Sequence, residues 1–255
     1  MAEKTVTACL LVIGNEILSG RTQDKNLATI AKRLNDWGIR LAEARVIADD
    51  EATIVETLND VRRRFDYVFT TGGIGPTHDD ITAASVAKAF GVPHVVHPEA
   101  KAVLENYYEP GKLNAARMRM AMTPEGATLV PNPVSSAPGF QVENVFVLAG
   151  IPQVMAAMLE TLEGRLTGGT PRRSRALKVF LPEGVMADEL GRLQARFADV
   201  EIGSYPFHEG GRYGARLLLT GADPARLAQA AEALTAATAA LGDAGEWEER
   251  PLETR

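Results

Sequence analysis

Apolar residues in the first half of the chain follow two patterns, continuous runs and runs with a helical period. Residues 5–13 form a continuous apolar run that ends at Gly14, which predicts a strand buried on both faces. In residues 26–37 the apolar side chains recur every three or four positions, which predicts an amphipathic helix ended by Gly38. Residues 39–47 then predict a second strand.

The same alternation continues to residue 90. A helix with one apolar face is predicted to begin after Asp49 or Asp50, a strand spans residues 67–70, and a helix follows over residues 81–90. Strands that alternate with helices predict a mainly parallel sheet with helices on both faces, a three-layer α/β fold. Ligands of such sheets bind beyond the carboxyl ends of the strands. The glycines that end the first and third strands therefore mark the expected site.

The pattern is less regular in the middle of the chain. Residues 98–121 favour a helix interrupted at Pro110, and residues 140–148 favour a hairpin with Asn144 at its turn. The proline-rich residues 123–139 between them favour a long loop around one short strand. No regular connection is therefore expected on this side of the sheet.

The last third of the chain predicts a second domain. Residues 168–173 have the composition of a linker and separate a first domain, residues 1–167, from a second, residues 174–242. The second domain has the order strand, helix, strand, strand, helix, which predicts a small α+β (βαββα) layer. The acidic residues 243–255 are predicted to form a disordered tail.

Composition excludes several classes of function. The 255 residues include 45% hydrophobic and 24% charged side chains, as in ordinary globular proteins. A net charge of −6 argues against nucleic acid or an anionic membrane as a partner. No apolar run approaches the ~20 residues of a membrane span, and no signal-peptide core follows the first residues. We therefore expect a cytoplasmic protein, with Cys9 as a small buried hydrophobe.

Residues 70–82, Thr-Thr-Gly-Gly-Ile-Gly-Pro-Thr-His-Asp-Asp-Ile-Thr, carry the strongest chemical signal. Three glycines between a strand and a helix let the backbone approach an oxyanion, which the first N–H groups of the helix then face. Asp79 and Asp80 lie at the same turn and would repel a bare phosphate, so a divalent cation is expected to bridge them to the ligand. The segment predicts a site for a phosphorylated ligand and a metal.

Simpler explanations of this turn remain open. Its spacing matches neither a P-loop nor the Gly-x-Gly-x-x-Gly fingerprint, and Thr77 followed by Asp80 is also the pattern of a helix capping box. His78 is either a phosphate donor near neutral pH or an exposed turn residue. Because Thr71 and these polar residues surround one corner, we favour a binding site, with Asp80 as the catalytic candidate, either a metal ligand or the group that positions one, and Asp79 as a supporting cap.

A second polar loop, residues 14–26, follows the first strand and is expected to face the glycine turn. Its donors and acids are Asn15, Glu16, Ser19, Asp24 and Asn26. The alternative is a polar loop in which Asp24 or Asn26 caps the next helix. Asp49, at the end of the second strand, is likewise either a site residue or a helix cap.

The two loops, Gly-Asn-Glu-Ile-Leu-Ser-Gly and Thr-Gly-Gly-Ile-Gly-Pro-Thr-His-Asp-Asp-Ile-Thr, resemble those of the molybdopterin-binding (MoaB/Mog-like) domain. More narrowly, residues 6–166 look like the amino-terminal part of CinA-type (competence/damage-inducible protein A) proteins, and the βαββα segment looks like the small domain that follows it there. The related domain of eukaryotic FAD synthases is also similar. No segment resembles the CinA deamidase domain, so nicotinamide-nucleotide deamidation is not expected.

The resemblance implies a pterin or nucleotide ligand, possible binding of molybdopterin itself, a Mg²⁺-type divalent metal and a homo-oligomer. Asp80 and Asp49 match two catalytic acids of molybdopterin adenylyltransferases, and the metal is expected on Asp80 and Asp24. The residues expected to contact the ligand or its phosphates are Asn15, Glu16, Ser19, Gly20, Thr71, Gly72, Gly73, Gly75, Thr77 and His78.

Three functions follow from these observations. The first hypothesis is a metal-dependent pyrophosphatase, because CinA-type relatives are linked to hydrolysis of nucleotide diphosphates such as ADP-ribose or FAD. The second is a module that binds molybdopterin or a nucleotide without chemistry. Molybdopterin adenylylation ranks last, because the Ser-Asp-Arg stretch of the adenylyltransferases is replaced here by Gly14, Asn15 and Glu16.

Overall fold

A computed structural model describes residues 5–248. It divides the chain into two compact units, Met1–Gly169 and Thr170–Arg255. The division falls within residues 168–173, the predicted linker. The two glycines of that segment are nevertheless fixed on the first unit: the Gly169 N–H donates to the Gly38 carbonyl at 3.0 Å, and a Cβ on Gly168 would lie 1.7 Å from the Trp37 carbonyl oxygen.

The first unit contains eight strands. They are β1 (Val6–Ile13), β2 (Ile39–Ile47), β3 (Tyr67–Thr71), β4 (His94–Val96), β5 (Met122–Pro124), β6 (Thr128–Val130), β7 (Gly139–Val142) and β8 (Val145–Leu148). Six of them form one sheet in the order β2-β1-β3-β8-β7-β6. The pairs β1–β2, β1–β3 and β3–β8 are parallel, whereas β7 is antiparallel to both β8 and β6. The predicted mainly parallel sheet and the hairpin around Asn144 are confirmed.

Helices cover both faces of this sheet. They are α1 (Asn15–Leu18), α2 (Asn26–Asp36), α3 (Glu51–Val61), α4 (Thr82–Phe90), α5 (Pro98–Tyr107), α6 (Ala115–Met118) and α7 (Pro152–Glu160), with a 3₁₀ turn at Arg119–Ala121. Alternate side chains of β1 point to opposite layers: Leu10 and Val12 pack with α2 and α7, while Cys9 and Leu11 pack with α3 and α4. The three-layer architecture is therefore confirmed.

Strands β4 and β5 were not predicted. They pair with each other as a separate two-stranded antiparallel sheet, in which His94 lies opposite Pro124 and Val96 opposite Met122. Each strand has only three residues, and the pairing joins segments separated by two helices, so no local pattern reveals it. His94 and Met122 of this small sheet line a cavity beside the start of α4.

The second unit has a four-stranded antiparallel sheet with two helices. Its elements are β9 (Arg173–Val179), α8 (Glu183–Arg196), β10 (Glu201–Glu209), β11 (Arg212–Gly221), α9 (Pro224–Ala240) and β12 (Glu246–Glu248), and the strand order is β10-β11-β9-β12. The predicted βαββα order is present.

Strand β12 corrects the prediction of a disordered tail for its first six residues. It pairs antiparallel with β9, and the Trp247 indole packs on the core and donates to the Thr235 hydroxyl at 3.2 Å. An aromatic ring thus anchors a segment whose acidic composition suggested disorder. Residues 249–255 lie outside the described part of the chain. Among residues 5–248, no helix has the length and apolar character needed to cross a membrane.

Candidate functional site

The glycine turn after β3 is shaped by two left-handed residues. Gly72 and Gly73 have φ angles of 102° and 68°, a region that side chains disfavour. A Cβ on Gly72 would also lie 2.2 Å from the Ile13 carbonyl oxygen, so the turn needs glycine for space as well as for conformation. The turn therefore passes closely over the end of β1.

The backbone N–H groups of this turn divide into used and free donors. The Gly72 N–H donates to the Leu148 carbonyl at 3.3 Å, so it continues the sheet and does not fit the role of phosphate donor that the sequence suggested for it. Within residues 5–248, the N–H groups of Gly73, Ile74 and Gly75 have no hydrogen-bond acceptor. These three donors are the ones available to an anion.

Asp80 packs against the glycine turn through Thr77 and Gly75. Its Oδ2 accepts hydrogen bonds from the Thr77 N–H at 2.8 Å and from the Thr77 hydroxyl. Helix α4 begins two residues later, at Thr82, so this contact is a local turn and not a helix capping box. A Cβ on Gly75 would lie 2.6 Å from the same Oδ2, which shows how closely Asp80 folds against the glycine turn.

The neighbours of Asp80 face outwards. The His78 side chain is 95% exposed and lies 4.0 Å from an Asp79 oxygen, and both residues lie outside the two cavities described below. Hydrogen bonding from Thr77 and from its own backbone N–H lowers the pKa of Asp79. The geometry fits the exposed-turn explanation of His78, and Thr77 binds both Asp79 and Asp80 within the turn.

Asp49 joins the ends of two strands. Its Oδ2 accepts the Asn15 N–H at 2.8 Å, which ties the end of β2 to the loop after β1. The cap of α3 is instead Asp50, which accepts the Thr53 N–H at 2.8 Å, and this bonding lowers the pKa of Asp50. Asp49 therefore does not cap α3, but it accepts the first N–H of α1.

The remaining predicted residues of the first loop mainly hold the loop together. The Ser19 hydroxyl donates to the Glu16 carbonyl at 3.2 Å and accepts from Arg21, and Gly20 supplies a left-handed turn with φ 71°. Five of the predicted site residues line neither of the two cavities at the strand ends: Asn15, Ser19, Gly20, Asp49 and Thr77.

A small cavity of about 70 Å³ lies beside the starts of α2 and α7. The polar and charged residues that line it are Glu16, Thr22, Gln23, Asp24, Lys25, Asn26 and Thr71. Asp24 also accepts the Leu27 N–H at 2.9 Å, so it binds an N–H group at the start of α2 and also lines the cavity.

Two residues that line the small cavity, Asn26 and Thr71, each have a buried oxygen without a partner. The Asn26 amide donates to the Gly150 carbonyl at 2.8 Å, but its Oδ1 and the Thr71 Oγ1 have no hydrogen-bond partner among the described residues. Asn26 is 4% exposed and Thr71 is 1% exposed. A buried polar atom without a partner costs roughly 1–3 kcal/mol, which a bound ligand or ion can offset.

A large cavity of about 260 Å³ lies beside the start of α4. Gly73, Gly75 and Asp80 line it on one side, and His94, Arg119 and Phe140 are among the residues on the others. No sequence motif selects His94 or Arg119, because His94 lies in the three-residue strand β4 and Arg119 in the 3₁₀ turn. The glycine turn thus borders both cavities, with Gly72 at the small one and Gly73 at the large one.

Glu16 and Asp24 would hold a divalent metal at the small cavity only together with oxygens from a ligand or water. Asp24 and Asp80, the two predicted metal ligands, line different cavities. In the described part of the chain, no group of three or more His, Cys, Asp or Glu side chains is placed to hold a metal. The two carboxylates and two unpartnered oxygens of the small cavity are nevertheless the donor type of Mg²⁺, which commonly completes its shell with water and substrate phosphates.

Comparison with known protein families agrees with the fold. Residues 9–167 match the family described as "Probable molybdopterin binding domain", and residues 171–241 match the middle domain of FAD synthase. The crystal structure of the protein CinA from Thermoplasma acidophilum superposes with a TM-score of 0.60 at 32% sequence identity, over 64% of this chain and 99% of that chain.

Several relatives have similar sequences. A CinA-like protein of Syntrophotalea carbinolica is 36% identical over 69% of this chain and 45% of its own length. A CinA-like protein of Geotalea uraniireducens is 37% identical over 71% of this chain and 46% of its own length. This chain therefore spans about half the length of these CinA-like relatives, whereas a protein of Archaeoglobus fulgidus, 36% identical, is matched over 84% of its length. The chain belongs to the CinA-type branch of the molybdopterin-binding (MoaB/Mog-like) domain family.

Proposed function

We propose that this protein is a divalent-metal-dependent pyrophosphatase that hydrolyses a nucleotide diphosphate compound such as ADP-ribose or FAD. The observation that carries the proposal is the glycine turn, which borders the large cavity with Gly73 and Gly75 and the small cavity with Gly72. A diphosphate at this turn has space for an organic group on one side and oxygen ligands on the other. The match of the second unit to the middle domain of FAD synthase supports a nucleotide ligand.

Binding of the diphosphate is assigned to the free backbone donors. The N–H groups of Gly73, Ile74 and Gly75 are held in place by the left-handed turn before they meet a ligand. Donors that need no rearrangement stabilise the charge that develops on phosphate oxygens in the transition state, which is commonly the largest contribution to catalysis. Lys25 at the small cavity adds a positive charge for the same anion.

Asp80 is the proposed proton acceptor. Its Oδ2 is engaged by Thr77, which fixes the carboxylate and leaves Oδ1 for a water molecule. In the proposed step the water oxygen bonds to one phosphorus as the bridging P–O bond breaks. The water proton passes to Asp80 Oδ1, and the bridging oxygen leaves on the second phosphate.

The small cavity supplies the cation ligands in this proposal. Glu16 and Asp24 would hold a Mg²⁺-type ion, which reduces the negative charge of the phosphates and polarises phosphorus when bound. Asn26 and Thr71 contribute oxygens that otherwise lack partners. The chain's own carboxylates thus act on opposite sides of the glycine turn.

The test is turnover of ADP-ribose and FAD by the full chain with Mg²⁺, Mn²⁺ or Co²⁺, with AMP measured by chromatography. We expect Asp80→Asn to lower kcat about 100-fold or more, since it removes the proton acceptor. Asp79→Asn is the matched control, because Asp79 is the adjacent exposed acid, and its kcat should stay within about twofold. No turnover by the wild type, or undiminished turnover by Asp80→Asn, contradicts the proposal.

Binding without chemistry is the second candidate function. It is favoured by one observation: the Thr77 contacts give Asp80 a structural role that needs no reaction. This alternative predicts saturable binding of the same nucleotides, or of molybdopterin, in calorimetry with no product after long incubation.

A further inference from the structure

The glycine that ends β1 is explained by space and not by conformation. Gly14 has a φ of 169° and a ψ of 117°, an extended backbone that any residue adopts. A Cβ on Gly14 would lie 2.7 Å from Glu16 Oε1 and 2.9 Å from Glu16 Oε2, which is closer than real Cβ contacts. The Glu16 carboxylate therefore folds back over the backbone of Gly14, and the missing side chain leaves room for it.

The backbone beneath this carboxylate is held by hydrogen bonds on both sides. The Gly14 N–H donates to the Ile47 carbonyl at 3.1 Å, which continues the pairing of β1 with β2. The Gly14 carbonyl accepts the Ile17 N–H at 3.2 Å, which begins α1. The turn from β1 into α1 is thus fixed at the point where Glu16 lines the small cavity.

Asp49 supplies the side-chain contact to this turn. Its Oδ2 accepts the N–H of Asn15, the first residue of α1, at 2.8 Å. Helix α1 has only four residues, and Gly14, at its N-cap position, has no side chain that could accept an N–H group. A carboxylate from the end of β2 therefore does for α1 what an N-cap side chain does for other helices. Its charge makes this hydrogen bond stronger than one between neutral groups.

The Glu16 carboxylate has no contact of this kind. The residue is exposed, and within residues 5–248 no hydrogen bond or ion pair holds its side-chain oxygens. A long side chain without partners must give up rotamer freedom when it binds a ligand. Its position therefore depends on the backbone that carries it, which Asp49 fixes, and on the space that Gly14 leaves.

We propose that Asp49 and Gly14 are positioning residues for Glu16, and that Asp49 is not a catalytic acid. Asp49 holds the start of α1 through the Asn15 N–H, and Gly14 lets the Glu16 carboxylate lie over the end of β1 beside the small cavity. This inference rests on the proposed function in taking Glu16 as a ligand of the divalent cation. It replaces the catalytic role that the resemblance to molybdopterin adenylyltransferases implies for Asp49.

The experiment measures cation binding and not turnover, so that failure of hydrolysis and failure of this inference are distinguishable. Mg²⁺ is titrated by calorimetry into the full chain with α,β-methylene ADP, which cannot be hydrolysed at the bridging position. Asp49→Ala should raise the Mg²⁺ dissociation constant about tenfold, since the Asn15 N–H loses its acceptor. Asp49→Asn keeps an oxygen for that N–H and should stay within about twofold of the wild type. A carboxylate that acts by its charge would be lost equally in both variants.

Gly14→Ala displaces the carboxylate without changing Asp49. The nearest atoms to the added Cβ belong to the flexible end of Glu16, so the free energy of unfolding should change little while Mg²⁺ binding weakens about tenfold. Asp50→Ala is the matched control. Asp50 also accepts a backbone N–H at 2.8 Å at the start of a helix, but neither it nor its partner Thr53 lines a cavity, so Mg²⁺ binding should be unchanged.

A double-mutant cycle with Glu16→Gln connects Asp49 to the carboxylate. If Asp49 acts through Glu16, Asp49→Ala should add less than about twofold to the loss that Glu16→Gln causes alone. Circular dichroism verifies that each variant folds. Four results would each overturn the proposal: independent losses in the double variant, equal losses in Asp49→Asn and Asp49→Ala, unchanged binding in Gly14→Ala or Glu16→Gln, or no Mg²⁺ binding by the wild type.

Discussion

The two cavities beside the glycine turn differ in size and chemistry although they share one wall. The large cavity, about 260 Å³, is lined by Asp80, His94 and Arg119 together with Phe140 and two methionines. The small cavity, about 70 Å³, is lined by Glu16, Asp24 and Lys25 together with Asn26 and Thr71, each of which has a buried oxygen without a partner. The layers on the two faces of the sheet thus give one backbone turn two different sets of neighbours.

The sheet itself produces this asymmetry. Thr71 and Gly72 border the α2 and α7 side, and Gly73 to Gly75 border the α4 side. Since a diphosphate is short and has two chemically different sides, a turn at the sheet edge can bind it in a single orientation. The orientation of the bound diphosphate would then be set by the backbone fold and not by a cluster of charged side chains.

The largest expected effect is a loss of stability when a side chain is added to Gly72, in the turn between the two cavities. Gly72→Ala combines a left-handed φ with a contact of 2.2 Å to the Ile13 carbonyl oxygen, and we expect it to lower the free energy of unfolding by about 3 kcal/mol. Gly91→Ala is the matched control, because Gly91 has φ 67° with no neighbouring atom within 4 Å, and should cost about 1 kcal/mol. Urea denaturation followed by Trp37 fluorescence in a Trp247→Phe background measures the first unit. Equal losses in both variants would show that the turn tolerates a side chain.

A smaller effect is expected from weakening the small cavity alone. Asp24→Asn keeps an acceptor for the Leu27 N–H but removes a carboxylate, so the Mg²⁺ concentration for half-saturation with ADP-ribose should rise about tenfold. Asp50→Asn makes the same chemical change at the start of α3, away from both cavities, and should leave the Mg²⁺ requirement unchanged. Calorimetric titration of Mg²⁺ gives both values. A similar shift in the two variants would remove the small cavity from the cation site.

The smallest expected effect is on the pH dependence of the free energy of unfolding, through His94 at the large cavity. Because burial lowers the pKa of His94 in the folded state, the unfolded chain binds more protons as the pH falls below about 6.5. Stability should therefore fall between pH 7 and pH 5, and His94→Gln should reduce that fall. The control is His78→Gln, which removes an exposed imidazole outside both cavities. Parallel urea denaturation at the two pH values checks both, and an unchanged slope in His94→Gln would contradict the burial of this ring.

The fold was predictable where long patterns dominate. Continuous apolar runs identify β1 and β3, helical periods identify α2 and α3, and their alternation is enough to predict the three-layer sheet. The β4–β5 pair and β12 were missed because each strand has three residues and depends on contacts from far along the chain. Trp247 anchors β12 through packing that no local composition shows.

The sequence predicts which loops carry the candidate site residues, but not which cavity each residue lines. Thr71, Gly73, Gly75, Asp24 and Asp80 all lie at the strand ends where the motifs place them. Sequence spacing cannot show that Asp24 and Asp80 lie in different cavities, because that depends on which helix layer each loop joins. His94 and Arg119 belong to segments without a motif, and only the folded chain brings them to the glycine turn.

A crystal structure with Mg²⁺ and α,β-methylene ADP-ribose, which cannot be hydrolysed at the bridging position, tests the central claim most directly. The account predicts that the two phosphorus groups lie against the N–H groups of Gly73 and Gly75, with an organic group on the side of the large cavity. Phosphate density away from the glycine turn would contradict it.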